Sequence, residues 1–339
     1  MSVVSPRCRL PGPPAGDYRD GARPALVGGG TVLAVTAADH LPAGPVAVLA
    51  NPTAGRGVHR GLLPPLLDRL AVAGRPVRLL EAGTAAEAEA ACRAAVTEGI
   101  GALVTVGGDG TVHRALQAVA GTTVPFGPVP AGTGNDFALD TGYPADPLAA
   151  VDLITAALLQ GRTRPVDLAR VDGADGARRW YGAVLAAGFD AIVNERANRM
   201  RWPRGPRRYD LAILAELARL RPRRYTLRLD GVTHELDAVL VAVGNGACYG
   251  GRMRICPAAD LTDGLLDVVV GGRFDRRTLM RVKPRIYAGT HVAHPLVRTY
   301  RARTVELAAE GITTYADGER ALDLPVTITA VPAAVRLLR

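Results

Sequence analysis

Asp109 stands in the run ALVTVGGDGTVHRAL, residues 102–116, among glycines, where an apolar stretch ends and a helix-like one begins. Glycine permits close backbone approach and backbone angles closed to other residues. An acid set there either caps the following helix or brings its charge to a bound group. NPTAGRG at 51–57 and AGTGND at 131–136 repeat the mixture of glycine and threonine. Backbone N–H groups, hydroxyls and a helix N-terminus together suit phosphate oxygens. Singly, each loop is an ordinary turn after a strand. Converging at one sheet edge, the three make a phosphate cradle the stronger reading.

Several phosphate-binding designs are excluded. A Walker A loop needs a lysine after its last glycine, and the only lysine, Lys283, is followed by Pro284. A dinucleotide fingerprint fails because Phe137 stands where the third glycine after Gly132 and Gly134 belongs. The lysine strand and HRD loop of protein kinases are missing as well.

The elements around these loops alternate. VAVLA (46–50), RPVRLLEA, GALVTV and VPFGPVP read as strands; LLPPLLDRLAVAG, AAEAEAACRAAVTEG and TVHRALQAVA read as helices, the first with Pro64 and Pro65 near its opening turn. That order predicts a parallel sheet of crossover units, with ligands outside the strand carboxyl ends. After about residue 165 the texture turns to strands: RYTLRLDG, HELDAVLVAVGN as one strand, and GLLDVVVGGR. Helices are expected near YDLAILAELARL and RTLMRVKPRIYAG, and the final VTITAVPAAVRLL as a strand of either half.

With 339 residues the chain is long enough for two domains. An apolar share of 48% and a charged share of 22% are those of a soluble globular protein. The formal charge of +9 rests almost wholly on arginine, which reads as a codon habit of the source genome. It favours anionic partners such as acidic headgroups and gives no specific case for nucleic acid. Cys8, Cys92, Cys248 and Cys256 form no CxxC pair or zinc spacing, as expected of a reduced, cytoplasmic chain. No run reaches the length of a spanning helix. Residues 1–43 read as a poorly ordered leader, a weak signal peptide being the alternative.

NPTAGRG, GGDGT with GTGNDFA, AAGFDA (186–191), VGNGACYGGRMRICPAADLTDGLLDV (243–268) and ADGER (316–320) occur in that order. Together they resemble the diacylglycerol-kinase catalytic domain family, which takes in bacterial lipid kinases and sphingosine kinases. The resemblance covers about residue 45 to the end. It implies an α/β nucleotide-binding domain with an NAD kinase-like parallel sheet (44–168 and 325–339), a β-sandwich domain (169–324), and an active site in the cleft between them.

The activity so implied is transfer of the γ-phosphoryl group of ATP, with Mg2+, to a lipid hydroxyl, most simply diacylglycerol to phosphatidic acid. By resemblance Asn51, Pro52, Thr53, Ala54, Gly55 and Arg56 form the first nucleotide loop, Gly108, Asp109, Gly110 and Thr111 the central one, and Thr133 and Asp136 the third. Asp109 is assigned closest to the metal–phosphate chemistry; the alternative is a helix cap. For Asp136 the alternative is a turn acid. Asp167 matches an acid linked through water to magnesium, and Glu319 the general base, which the tripeptide alone would make an exposed turn residue. The Asp263 side chain with the Asp260 and Leu265 carbonyls matches a second, structural cation site; a plain turn is its competitor.

Three positions depart from the family, one of them Ala82, where threonine is common, with Thr84 close by. A hydrophobic residue, Asn and Glu usually follow GGDGT; this chain has Val112, His113 and Arg114. His113 is expected on the helix surface. An NAD-type kinase and a non-catalytic nucleotide or lipid sensor are the competing functions. The basic stretch 196–225, which includes Trp202, suggests peripheral contact with the inner membrane face, against a solvated basic helix packed on the core. A homodimer is compatible with the sequence.

Overall fold

Strands β1 (Val46–Ala50) and β3 (Ala102–Gly107) are almost wholly buried and lie side by side in a parallel sheet, in register from Val46↔Ala102 to Ala50↔Val106. The computed structural model describes residues 41–50, 59–200, 211–212, 215–217 and 219–339. The expected leader therefore lies outside the described residues, apart from 41–43. Strand β2 (Val77–Leu80) flanks β1 and β4 (Phe126–Pro130) flanks β3, giving the order β2-β1-β3-β4. The winding thus reverses between β1 and β3, and such a reversal opens a crevice at the strand carboxyl ends. The loops that leave these two strands are the first two glycine loops.

Helices cover the sheet. Helix α1 (His59–Ala71) packs on α5 (Pro147–Gln160), and α2 (Ala85–Thr97) packs on α3 (Asp109–Val119). Between α3 and α5 lies a short α4 (Asp136–Asp140). Helix α2 opens on a capping box, Thr84 accepting the Glu87 N–H while Glu87 reaches back to the Thr84 N–H. Helix α5 has the Asp146 cap, Pro147 in its first turn and Gly161 at its end, signals that the sequence reading did not use. Helix α1 begins earlier than expected, so Pro64 and Pro65 fall in its second turn rather than its first.

The rest of the chain is mostly antiparallel. Strands β5 (Arg164–Gly173) and β6 (Arg178–Tyr181) form a hairpin, followed by β7 (Val184–Gly188) and α6 (Phe189–Arg199). Then come β8 (Arg223–Leu229), β9 (Val232–Ala238), β10 (Leu240–Gly244), β11 (Leu266–Gly271) and α7 (Arg276–Tyr287). The chain closes with β12 (Val297–Ala302), β13 (Thr304–Ala308), β14 (Thr313–Ala316), β15 (Glu319–Asp323) and β16 (Val326–Leu337). One sheet has the order β12-β11-β10-β7-β14-β15; the other continues the parallel sheet as β4-β16-β13-β8-β9. The expected single strand HELDAVLVAVGN is two, because the chain changes sheets at Val239, between β9 and β10.

Strand β16 belongs to both halves. Its first part pairs with β13; it bulges between Val331 and Val335, and Leu337 then meets Phe126 of β4 in parallel. Three apolar cores result: between the parallel sheet and its covering helices, between the two sheets, and on the outer face of the second sheet under α6 and α7. Burying each Val, Leu or Phe of these cores contributes roughly 2 kcal/mol. By its contacts Ala38–Arg339 forms one unit, so side chains from both halves meet at a defined place.

Candidate active site

Gly108 is the N-cap of α3 and has no side chain to bond the first-turn amides. The Thr111 N–H turns back to the Gly108 carbonyl at 2.9 Å, and the helix N-terminus ahead of it, at the carboxyl end of β3, suits an anion. Asp109 is the first helical residue, yet its carboxylate leaves its own helix: Oδ2 accepts the Asn135 N–H at 2.8 Å. The capping alternative does not describe it. The central and third loops touch, since a Cβ on Gly132 would lie 2.4 Å from the Gly108 Cα. Only glycine fits there. Asn135 closes the third loop, bonding the Gly132 N–H and carbonyl at 2.9 and 3.0 Å from a left-handed backbone (φ 58°). Thr111 is buried and Thr133 exposed.

Helix α4 then reaches into the other half. Asp136, 2% exposed, accepts the Gly251 N–H at 2.9 Å and the Arg252 N–H at 2.7 Å. One turn on, Asp140 accepts the Cys248 N–H at 3.0 Å and an Arg252 guanidinium N–H at 2.8 Å. Carboxylates at i and i+4 share a helix face, so this short helix grips one loop twice.

The 316–320 turn arrives from the opposite side. Asp317 is held in a left-handed conformation (φ 52°) and accepts the Gly182 and Ala183 N–H groups at 3.1 and 2.8 Å. His113 Nδ1 lies 3.1 Å from the same carboxylate. His113 is therefore not on the surface as expected but 2% exposed, because β6 and this turn cover its side of α3. Gln117, one turn along, bonds the Trp180 carbonyl and N–H at 2.7 and 2.9 Å and fastens α3 to β6. Arg114 Nη2 lies 2.5 Å from Glu319 Oε2, while Glu319 Oε1 lies 3.0 Å from where a Gly110 Cβ would stand. Thus His113 and Arg114, two of the residues that depart from the family, both face the turn carrying the candidate base.

Burial raises the Asp109 pKa to about 6, with the Asp136 and Asp317 charges adding to the effect; N–H bonds from Asp136 and Asn135 oppose it. Negative charge is in excess at this point. That fits a divalent cation arriving with phosphate oxygens and water, since magnesium keeps much of its water and uses few carboxylates. Among the described residues no three His, Cys, Asp or Glu side chains are grouped to hold a metal by themselves. The site fits a shared cation, not a protein cage.

Asp167 lies elsewhere. Its oxygens accept the Gly264 and Ala333 N–H groups, both at 2.8 Å, tying the 260–265 turn to the bend in β16. Asn245 bonds the Asp167 and Gly182 carbonyls at 2.9 and 2.8 Å and links this corner to the 316–320 turn's neighbours. In the 260–265 turn Asp260 bonds Thr262, and Asp263 accepts the Leu265 N–H at 2.9 Å and pairs with Arg301. Arg301 also reaches Asp267, so the turn carries its own positive charge.

Asn51, Pro52, Thr53, Ala54, Gly55 and Arg56 lie outside the described residues, as do Trp202 and much of the 196–225 stretch. Sequence reasoning missed Asp140, Asp317, Arg114 and Asn245 as parts of this site. Asp140 stands at i+4 from Asp136, Asp317 lies in the quoted ADGER, and Asn245 in the quoted VGNG; spacing and motif offered those signals.

Residues 45–171 match the family model described as diacylglycerol kinase catalytic domain, and 183–339 the one described as YegS C-terminal NAD kinase beta sandwich-like domain. A diacylglycerol kinase of Mycobacterium tuberculosis (strain ATCC 25618 / H37Rv) is 45% identical over 299 residues, covering 87% of this chain and 95% of that protein. A Stenotrophomonas maltophilia protein named "Probable lipid kinase YegS-like" is 32% identical, covering 74% and 82%. In fold, the chain resembles the crystal structure of a Bacillus anthracis diacylglycerol kinase, with a TM-score of 0.65 and 20% identity over 87% of this chain and 96% of that one. An NAD kinase from Archaeoglobus fulgidus in complex with ATP gives a TM-score of 0.51 at 16% identity, covering 87% and 93%.

Proposed function

Because this chain belongs to the diacylglycerol kinase catalytic domain family, we propose that it is an ATP-dependent, magnesium-requiring lipid kinase whose acceptor is diacylglycerol and whose product is phosphatidic acid, a step of phospholipid biosynthesis. The α/β half (44–168 and 325–339) binds the nucleotide and the β-rich half (169–324) the lipid. The observation that carries this reading is the approach of Glu319 to Gly110, next to Asp109. A carboxylate from one half stands beside the helix N-terminus that would hold phosphate in the other.

The first-turn amides of α3 and the Gly108–Thr111 loop bind phosphate oxygens, with Thr133 and the 51–56 loop lining the rest of the nucleotide. Asp109 would hold the cation through its carboxylate or a water, and magnesium would supply positive charge to offset that of the phosphates. The acceptor oxygen forms the new bond to phosphorus, the bond to the β-phosphate oxygen breaks, and Glu319 takes the hydroxyl proton. In a loose transition state that proton leaves late, so a carboxylate serves as base. Catalysis is otherwise positioning and charge neutralisation in a cleft that excludes water. On this reading the chain works in the cytoplasm, where ATP is, with peripheral contact at the inner membrane face where the acceptor resides. Among the described residues no helix is long and apolar enough to cross a membrane.

Incubating the purified full chain with γ-labelled ATP and magnesium tests this, with diacylglycerol micelles, a total lipid extract and NAD in separate arms. Label in phosphatidic acid is the expected result. Label in NAD, or in no lipid, overturns it.

A further inference from the structure

Among the described residues, helix α7, RRTLMRVKPRIY, packs through one face. Leu279, Val282 and Ile286, at i, i+3 and i+7, are buried in the core on the outer face of the second sheet. The opposite side combines exposed apolar side chains with charge of one sign. Met280 and Tyr287 are 49% and 51% exposed, and Pro284 is exposed between them, so the three form an apolar stripe at i, i+4 and i+7. At about 100° per residue, Arg276 and Lys283 run along one side of that stripe and Arg277, Arg281 and Arg285 along the other. The helix contains no acid.

Such a face is unfavourable in water. Arg277, Arg281 and Arg285 follow one another at i, i+4 spacing, where like charges repel. The helix cap, Asp275, accepts the Thr278 N–H at 2.7 Å. An apolar stripe with cations on both sides matches a boundary that is apolar within and anionic at its edge. A polyanion such as nucleic acid would answer the charges and leave Met280 and Tyr287 without a use. The helix is also joined to the candidate site. After α7, Gly289 packs on Pro257 and His291 Nε2 lies 3.0 Å from the Ile255 carbonyl. The same loop runs back to Gly251 and Arg252, which Asp136 holds.

We propose that the exposed face of α7 docks on an anionic lipid bilayer. Met280, Pro284 and Tyr287 enter the headgroup boundary and the flanking arginines and Lys283 meet lipid phosphates. The inference deepens the reading above, in that it names the face through which a membrane-borne acceptor is met. Its test measures binding without turnover, so that the two stand or fall separately.

The full chain is sedimented with vesicles of phosphatidylcholine alone and of phosphatidylcholine mixed with phosphatidylglycerol. Binding is expected only with the mixed vesicles and is expected to weaken with added salt. Arg277→Glu with Arg281→Glu should cut it about tenfold or more. Met280→Ser with Tyr287→Ser should cut it several-fold while leaving the salt dependence in place. All four positions are exposed, and thermal unfolding of each variant checks that it remains folded. The proposal is overturned by equal binding to both vesicle types, by unchanged binding of both double variants, or by tighter binding of double-stranded nucleic acid than of mixed vesicles. Should the wild type bind mixed vesicles yet phosphorylate no lipid in micelles, the docking face stands and the kinase reading fails. Should it phosphorylate lipid in micelles yet ignore mixed vesicles, the reverse holds.

Discussion

Arg114 and Glu319 meet 2.5 Å apart, so the second turn of α3 holds the acid that stands beside the central glycine loop. Both are partly exposed, at 23% and 36%, and a second acid, Glu89, lies 3.8 Å from Arg114. A pair of this exposure is screened by solvent and contributes about 1 kcal/mol or less to stability. Its larger effect is on position. Replacing Arg114 by Ala frees Glu319 to take other rotamers, and kcat should fall about tenfold with the KM for ATP little changed. Arg114→Lys restores the charge without the planar fork and should recover part of the loss. Steady-state kinetics of the two variants check this; an unchanged kcat in Arg114→Ala would remove the positioning role.

Glu319→Gln keeps the shape of the side chain and removes its capacity to accept a proton. As general base its loss should lower kcat by about 10²–10⁴-fold. Calorimetric titration with magnesium–ATP should still show binding, because the central loop is untouched. The double variant with Arg114→Ala should be no slower than Glu319→Gln alone, since Arg114 acts through Glu319. Additive losses would mean that the two residues act independently.

The parallel sheet was legible because β1, β3 and β4 are buried, mainly apolar runs beside glycine or proline, and α2 carries a local capping signal. The loops were legible for the same reason: glycine and acid at a strand end is a local pattern. What escaped was set by contacts remote in sequence. Nothing near His113 says that β6 and the 316–320 turn, more than 60 and 200 residues away, will cover it. Its polar type and helical position argue for the surface, and its actual burial is satisfied by Asp317 and by packing against Gln117. Likewise Asp167 and Asp136 are both buried acids spent on backbone N–H groups, but only the fold decides which loop each one clamps. The passage of the 232–244 segment between two sheets did leave a mark at Val239, where the alternating polar and apolar residues of β9 give way to the unbroken apolar run of β10.

Asp109 gives a stability signal with a definite sign. In the folded chain it keeps its proton up to about pH 6, whereas the unfolded chain releases it near 3.8. Between those values the folded state binds more protons. The stability this group contributes is therefore full below 3.8 and is lost as pH rises through about 6. The difference amounts to about 3 kcal/mol. Comparing thermal unfolding of the wild type and Asp109→Asn across this range isolates it: the wild type should lose ground to the variant as pH rises, and magnesium–ATP should reverse the order at neutral pH. Parallel curves would show that Asp109 carries no excess charge.

Arg301 stands between Asp263 and Asp267, and burial raises the Asp267 pKa while Arg301 lowers it. With that counter-charge in place, a chelator should leave the melting temperature of the wild type unchanged. Arg301→Ala should lose about 1 kcal/mol after allowance for solvent screening, and divalent cations should then stabilise it by filling the gap. A chelator-sensitive wild type would show instead that the 260–265 turn binds a cation in competition with Arg301.

The Asp136 contact with Gly251 and Arg252 is a short polar link between the third phosphate loop and the loop on which α7 rests. Its two acceptor oxygens are buried, so Asp136→Ala strands two N–H groups at about 1–3 kcal/mol each, while Asp136→Asn can still accept one of them. Denaturant unfolding should rank the chains wild type, Asn variant, Ala variant. Activity should fall in the same order even where folding is complete, because Gly251 and Arg252 would no longer be held against α4 and Glu319 and the central loop would meet across a looser cleft. A fully folded Ala variant with wild-type kcat would show that the cleft keeps its shape without this contact, and Asp140 with Arg252 would then be the grip that matters.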